Sequence, residues 1–180
     1  MSEISLKENI ETFLRHHAGV LAKTDRFLEA ITRLRYEGKV AFGKNMNEVG
    51  DLLDYFTEKI IPHMKVEDII FSFLEIHIPK LEALIRLLQA EHKELKVNLE
   101  VLRYLFDELS EEKSEPKRTQ LIEQLKDKAT YFSYFVRNHV QAEEESIYRS
   151  IDQELHLEEK KELIRRIKEC EAWEALSQKA

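Results

Sequence analysis

The chain has 180 residues, 35% of them charged and 43% hydrophobic, with a formal net charge of −7; this length suits one domain with one sizeable core. The acidic balance argues against a nucleic-acid binder, which needs a basic patch, and the single cysteine, Cys170, rules out an internal disulfide or a thiolate cluster. No apolar run approaches the roughly 20 residues that span a bilayer, and Met1-Ser2-Glu3-Ile4-Ser5 lacks the basic start and apolar block of a secretion signal, so a soluble cytoplasmic protein without a membrane or nucleic-acid partner is expected.

Four glycines and three prolines in a Leu-, Glu-, Lys- and Ile-rich chain leave little material for β-turns and favour long helices. The first helix is expected to start near Ser5, where Ser5 and Glu8 can form a capping box. Its stripe runs through Leu6, Ile10, Phe13, Leu14, Val20, Leu21, Phe27, Leu28, Ile31 and Leu34, and His17 falls in it. Residues 37–45, with Gly38 and Gly43, read as a loop. A second helix from about Asn47 carries Val49, Leu53, Phe56 and Ile60, and the same spacing continues through His63, Glu67, Ile70 and Leu74. Pro62 removes one backbone donor there and is expected to kink the helix.

The break at Ile78-Pro79 begins a third helix, with proline suited to its first turn. Its stripe holds Leu81, Leu84, Ile85, Leu88, Leu95, Leu99, Leu102, Phe106 and Leu109, with His92 in register. The polar stretch from Ser110 to Pro116 reads as a loop. A fourth helix follows with Leu121, Leu125, Phe132, Phe135, His139, Glu143, Ile147 and Ile151. A last amphipathic helix, about 155–177, offers Leu163, Ile164, Ile167 and Trp173 to the bundle or to a partner.

The two halves resemble each other. His17 precedes His63 by nearly the distance that separates His92 from His139, and two acids follow each second histidine, Glu67-Asp68 and Glu143-Glu144. Two helix-loop-helix units of like design imply an all-α, antiparallel up-down-up-down four-helix bundle with an additional C-terminal helix. One domain over 1–180 is expected, with a core of about 5–151.

His-x-x-x-Glu puts both side chains on one helical face, one turn apart. In so glutamate-rich a chain the spacing alone is common, and register is the stronger signal. His17, His63, Glu67, His92, His139 and Glu143 all continue the apolar stripe of their helices, whereas His77 and His156 fall at helix ends and His16 lies about 100° round from His17. A single histidine on such a stripe is usually an ordinary hydrogen-bonded core residue. Six ionisable groups at one depth are different: each left unpaired costs about 1–3 kcal/mol, roughly 6–18 kcal/mol together, against a domain stability of about 5–15. Bound cations satisfy all six. Nitrogen and oxygen ligands without thiolate suit iron, manganese or zinc, and two carboxylates from opposing helices could bridge two ions with two histidines on each. The remaining net charge of two divalent ions could be neutralised by a bridging oxide or hydroxide, and open positions would remain for a small ligand.

These residues carry a family resemblance. Leu14-Arg15-His16-His17-Ala18-Gly19-Val20, His63-Met64-Lys65-Val66-Glu67-Asp68, Glu91-His92-Lys93-Glu94-Leu95 and His139-Val140-Gln141-Ala142-Glu143-Glu144 resemble, in that order, the four helix motifs of the hemerythrin-like, or HHE cation-binding, family. The resemblance covers about residues 5 to 150. It implies a di-iron centre of two Fe ions, ahead of Mn or Zn, held by His17, His63, His92 and His139 with Glu67 and Glu143 bridging. His16 could replace His17 if the first helix were rotated. Oxygen-carrying hemerythrins have a further helix-3 histidine where this chain has Lys96, and an aspartate five residues after the last histidine where Glu143 here comes four after His139. The four-histidine, two-glutamate set is closer to proteins that repair damaged iron centres, though their short cysteine-containing N-terminal domain is not found here.

The expected function is binding or sensing of a small ligand such as O2 or NO. Iron-sulfur-centre repair, iron delivery or peroxide handling is the alternative, and a metal-free interaction module or a homodimer through the C-terminal helix is the third reading. Tyr55 and Tyr131, two turns before His63 and His139, could line the pocket or be ordinary bundle residues. Gly19 could allow close approach of a neighbouring helix.

Overall fold

The computed structural model describes residues 3–173, apart from the side chains of residues 3–9 and 38–40. It is all-α. Four long helices, α1 (Glu3–Tyr36), α2 (Gly38–His77), α3 (Glu82–Glu111) and α4 (Glu115–Ala142), are followed by a π-helical turn (Glu143–Tyr148), α5 (Arg149–Glu154) and α6 (Leu157–Lys168).

Helix α1 packs on α2 and α4, and α3 packs on the same two, which makes a ring of four. Pairs across the ring give the sense of each neighbour. From His17 to Arg33 on α1 the partners on α2 run back from His63 to Glu48. From Asp25 to Arg35 the partners on α4 run back from Arg137 to Glu123. Between α2 and α3, Asp54 meets Arg103 while Asp68 meets His92. Each helix therefore runs against the neighbours it touches.

The connections are shorter than the sequence pattern predicts. Residues 37–45 are not a loop: only Glu37 separates α1 from α2, which begins at Gly38 rather than near Asn47. Asn45 and Met46 are buried and Phe42 packs against the core, so this segment has its own inward face. That burial outweighs the roughly 1 kcal/mol a helical glycine costs, and at Gly43 the space beyond the backbone is open. The expected loop at 110–116 shrinks to 112–114, because Ser110 and Glu111 stay in α3 and Pro116 fits the first turn of α4. Pro62 lies inside α2, which continues past it to His77. Pro79 opens a single 3-10 turn, Pro79–Leu81, that leads into α3. At the other end, α1 already begins at Glu3, so Ser5 sits within the helix, and the side chains of the expected Ser5–Glu8 capping box lie outside those described. Leu14, expected in the stripe, is 36% exposed.

The C-terminal helix ends at Lys168, earlier than the expected 177; the chain then turns, and Trp173 is buried beyond it, while residues 174–177 lie outside those described. Leu163 and Ile167 turn the apolar face of α6 into the bundle, against α1 and α2. No helix among the described residues is long and apolar enough to cross a membrane.

The interior is divided. One apolar cluster, around Phe27, Phe56, Leu102 and Phe132, fills the part of the ring toward the α1–α2 and α3–α4 connections. A second, around Phe13, Phe71, Phe73, Ile85, Leu163 and Trp173, fills the other end under α6. Between them, at one level on all four helical runs, lies a polar layer.

Candidate metal centre

The layer consists of the six expected residues. His17 comes from α1, His63 and Glu67 from α2, His92 from α3, His139 from α4 and Glu143 from the first position of the π-helical turn. All are buried, Glu67, His92 and Glu143 to within 1%. On each helix an apolar residue of one cluster precedes the ligand-type side chain and one of the other follows: Phe13 and Val20 flank His17, and Leu88 and Leu95 flank His92. The stripe thus holds the polar groups in the core because the burial of its neighbours fixes the helix rotation.

The carboxylates share themselves between two halves. Glu67 Oε1 lies 2.9 Å from His63 Nε2 and 3.5 Å from His17 Nε2, while its Oε2 lies 3.5 Å from His92 Nε2. Glu143 Oε1 lies 3.1 Å from His139 Nε2 and 3.6 Å from His92 Nε2, while its Oε2 lies 3.4 Å from His17 Nε2. His17 and His63 bring their Nε2 atoms within 2.9 Å of each other. Two groups therefore offer converging atoms within 4.8 Å: Glu67, His92, His139 and Glu143, and His17, His63 and Glu67. His16 is buried, with its ring 5.8 Å from that of His63, and belongs to neither group.

Six buried side-chain atoms find no hydrogen-bond partner among the described residues: Glu67 Oε2, His92 Nε2, His139 Nε2, both Glu143 oxygens and His63 Nδ1. All belong to the same six residues, and all but the last are atoms that face the cluster. Unmet polar atoms in an apolar interior cost about 1–3 kcal/mol each, more when charged. Concentrated at one point, with nitrogen and carboxylate donors and no thiolate, they fit a cation.

The local field points the same way. Burial alone would lower the His17 imidazole, yet the Glu144, Glu67 and Glu143 carboxylates raise it to about 10. Against the same opposing burial, Asp68, Glu143 and Glu67 raise His92 to about 11, and Glu143, Glu67 and Glu91 raise His139. Burial would push the Glu67 carboxyl up, but His63, His17 and His92 hold it well below its ordinary range. The cluster thus retains protons at neutral pH, which a metal ion would have to displace.

Around this layer stand residues that periodicity did not single out as functional. Glu144, Asp68 and Glu91 accept from the Nδ1 atoms of His17, His92 and His139 at 3.0, 3.0 and 2.7 Å. With the Nδ1 protons held by these acids, it is the inward Nε2 proton that a metal ion would displace, leaving each Nε2 lone pair to coordinate it. Each acid adjoins a residue of the polar layer in sequence, a visible signal. Tyr148 was less visible. Its hydroxyl donates to Glu67 Oε1 at 2.6 Å from a buried position. Burial and the Glu67 and Glu143 carboxylates push this phenol well above its usual value, so it stays a donor. The π-helical turn explains its placement: five residues after Glu143 is the wrong face of an α-helix but the same face of a π turn, a feature frequent at functional sites.

Tyr55 and Tyr131 do not line the cluster. Tyr131 is 45% exposed and donates to Glu94. Tyr55 packs against the first apolar cluster, and its hydroxyl would lie 3.1 Å from a Cβ added at Gly19, so that glycine does permit close approach.

On one side the cluster opens into a cavity of about 30 Å³, walled by Val20, Ile60, Met64, Leu95, Val136 and Val140 together with Lys59 and His16, with His17, His63, Glu67, His139 and Glu143 at its base. One water needs about 10–15 Å³ by this measure, so the space takes a molecule of two or so heavy atoms.

Fold and centre together define a helical bundle whose buried histidine–carboxylate cluster suits a metal ion. The model of the family described as Hemerythrin HHE cation binding domain matches residues 8–151, and the chain belongs to that family. Comparison with curated proteins and with solved structures finds no match.

Proposed function

We propose that this is a hemerythrin-like di-iron protein that binds or senses a small ligand such as O2 or NO, folded as one domain over the whole chain and working in the cytoplasm. The observation that carries the reading is the sharing of both carboxylates. Each of Glu67 and Glu143 turns one oxygen toward His17 or the His17–His63 pair and the other toward His92 or the His92–His139 pair. His17 and His63 would hold one ion, His92 and His139 the other, and the two glutamates would bridge them. Three or four protein donors per ion would leave coordination positions for a ligand, and the largely apolar cavity beside the cluster supplies a space of diatomic size.

When bound, ferrous ions would supply open positions and reducing electrons to such a ligand. The chain does the rest. Glu144, Asp68 and Glu91 orient three of the four imidazoles, Tyr148 donates a hydrogen bond to Glu67 Oε1, and Val20, Ile60, Val136 and Val140 give the space beside the cluster an apolar wall.

Metal analysis of protein purified without added metal should find about two iron atoms per chain if both positions of the proposed centre fill. Stopped-flow spectra of the ferrous protein mixed with O2 and with NO test the ligand. If neither perturbs the spectrum of the loaded centre, the ligand-binding reading fails.

A further inference from the structure

The inner donors of the two halves already differ: Glu67 and Glu143 both converge with His92 and His139, whereas Glu67 alone converges with His17 and His63, Glu143 turning its second oxygen to His17 at 3.4 Å; their outer partners differ as well. On the His92–His139 side both imidazoles are backed: Asp68 accepts from His92 Nδ1 at 3.0 Å and Glu91 from His139 Nδ1 at 2.7 Å. On the other side Glu144 backs His17 at 3.0 Å, whereas His63 Nδ1 is buried and has no partner among the described residues. The Glu67 oxygen nearest His63 is also the one that accepts from Tyr148. A carboxylate behind an imidazole raises its basicity and locks its ring, and loss of such a partner typically lowers metal affinity 10–100-fold. Among the described residues His63 lacks that support, and the oxygen beside it already accepts from a phenol hydroxyl. The cavity reaches His17 and His63 together but touches only His139 of the other pair.

Resting on the metal reading above, we propose that the centre is graded: the His92–His139 position fills first and holds its ion, while the His17–His63 position is the exchangeable one, open to the cavity. The unbacked His63 sets that difference, and Glu91 is the positioning residue that strengthens the tight side. A protein built this way keeps one resident ion and can lose or gain the other with conditions.

Histidine side-chain 15N NMR of the metal-free protein tests this, with Zn2+ as a diamagnetic probe and the His63→Gln and His92→Gln spectra assigning the signals. At one equivalent, the Nε2 resonances of His92 and His139 should move to metal-bound positions while those of His17 and His63 stay. The second equivalent should move the latter, with an affinity at least about tenfold weaker. Glu91→Gln should weaken the first step by about 10–100-fold and shrink the gap. Four resonances moving together, His17 and His63 moving first, or a gap unchanged in Glu91→Gln would overturn the grading and leave metal binding intact. If no Nε2 signal moves at any zinc level in protein that remains folded, metal binding itself fails, and the grading with it.

Discussion

The two apolar clusters on either side of the polar layer are built differently. In the one toward the interhelical connections, aromatic rings meet each other: Phe27 and Phe56 lie edge to face at 5.5 Å, and Phe56 and Phe132 are 5.3 Å apart. Next to the histidines this cluster presents aliphatic groups, and there the cavity lies. In the cluster under α6 the aromatic rings reach the polar layer itself. Phe13 lies 5.3 Å from the His63 ring, Phe71 stacks on His92 at 5.3 Å, and Tyr148 sits 5.8 Å from His17 and 5.6 Å from Phe13. Flat, stiff side chains fix the orientation of the rings they touch, whereas short aliphatic ones leave room. On the function proposed above, one side of the layer would position the donors and the other would admit what they bind.

Removing one phenylalanine from each side separates these roles. Phe13 and Phe56 are both buried, 2% and 0% exposed, and replacement by alanine should cost about 3–5 kcal/mol in either case, measured by urea unfolding of the metal-free protein. Only Phe13→Ala should also weaken zinc binding, because it frees the His63 ring and unseats Tyr148. Equal losses of zinc affinity in the two variants would mean that the clusters do not differ in this way.

The polar layer was legible in the sequence because its residues obey the same three- and four-residue steps as the core. His17, His63, His92 and His139 needed only helix rotation to converge, and that rotation is dictated by Phe13, Ile60, Leu88, Val136 and their neighbours. The bundle was legible for the same reason. What escaped were features that break or ignore the period. The segment 37–45 reads as a loop because its two glycines mask the inward-facing Phe42, Asn45 and Met46. Tyr148 escaped because a π turn adds one residue to the step. The backing of His17 by Glu144 and of His139 by Glu91 crosses between helices, which no single-helix pattern displays.

Tyr148 joins the positioning side to the carboxylates, and its loss gives the next largest effect. Tyr148→Phe keeps the ring against Phe13 and removes only the hydroxyl that donates to Glu67. A hydrogen bond to a charged group contributes about 1.5–3 kcal/mol, so the metal-free protein should lose about that much on urea unfolding. A change below about 0.5 kcal/mol would mean that the phenol contributes nothing beyond packing.

The admitting side is tested by filling it. Val20 walls the cavity and is 7% exposed. Val20→Ile adds one methylene toward a space of about 30 Å³, and cavity filling commonly adds about 0.5–2 kcal/mol of stability. Association of NO with the ferrous protein should slow while its zinc affinity stays the same. An unchanged association rate in a stabilised variant would move the ligand's route elsewhere.

The smallest effect is expected at Gly19, two residues beyond His17 on α1. A helical glycine replaced by alanine gains about 1 kcal/mol in propensity, but the new methyl would meet the Tyr55 hydroxyl at 3.1 Å. That oxygen ends a half-buried side chain whose outer face carries the Lys23 ammonium at 5.3 Å, so it can give by the few tenths of an ångström required. The two contributions nearly offset, and Gly19→Ala should change stability by less than about 1 kcal/mol. Tyr55 packs into the cluster whose aromatic rings stop short of the imidazoles, so zinc affinity should not change. Weaker zinc binding in Gly19→Ala would show that strain on the α1–α2 contact reaches His17 from the admitting side, and the division between the two sides would then be one of degree.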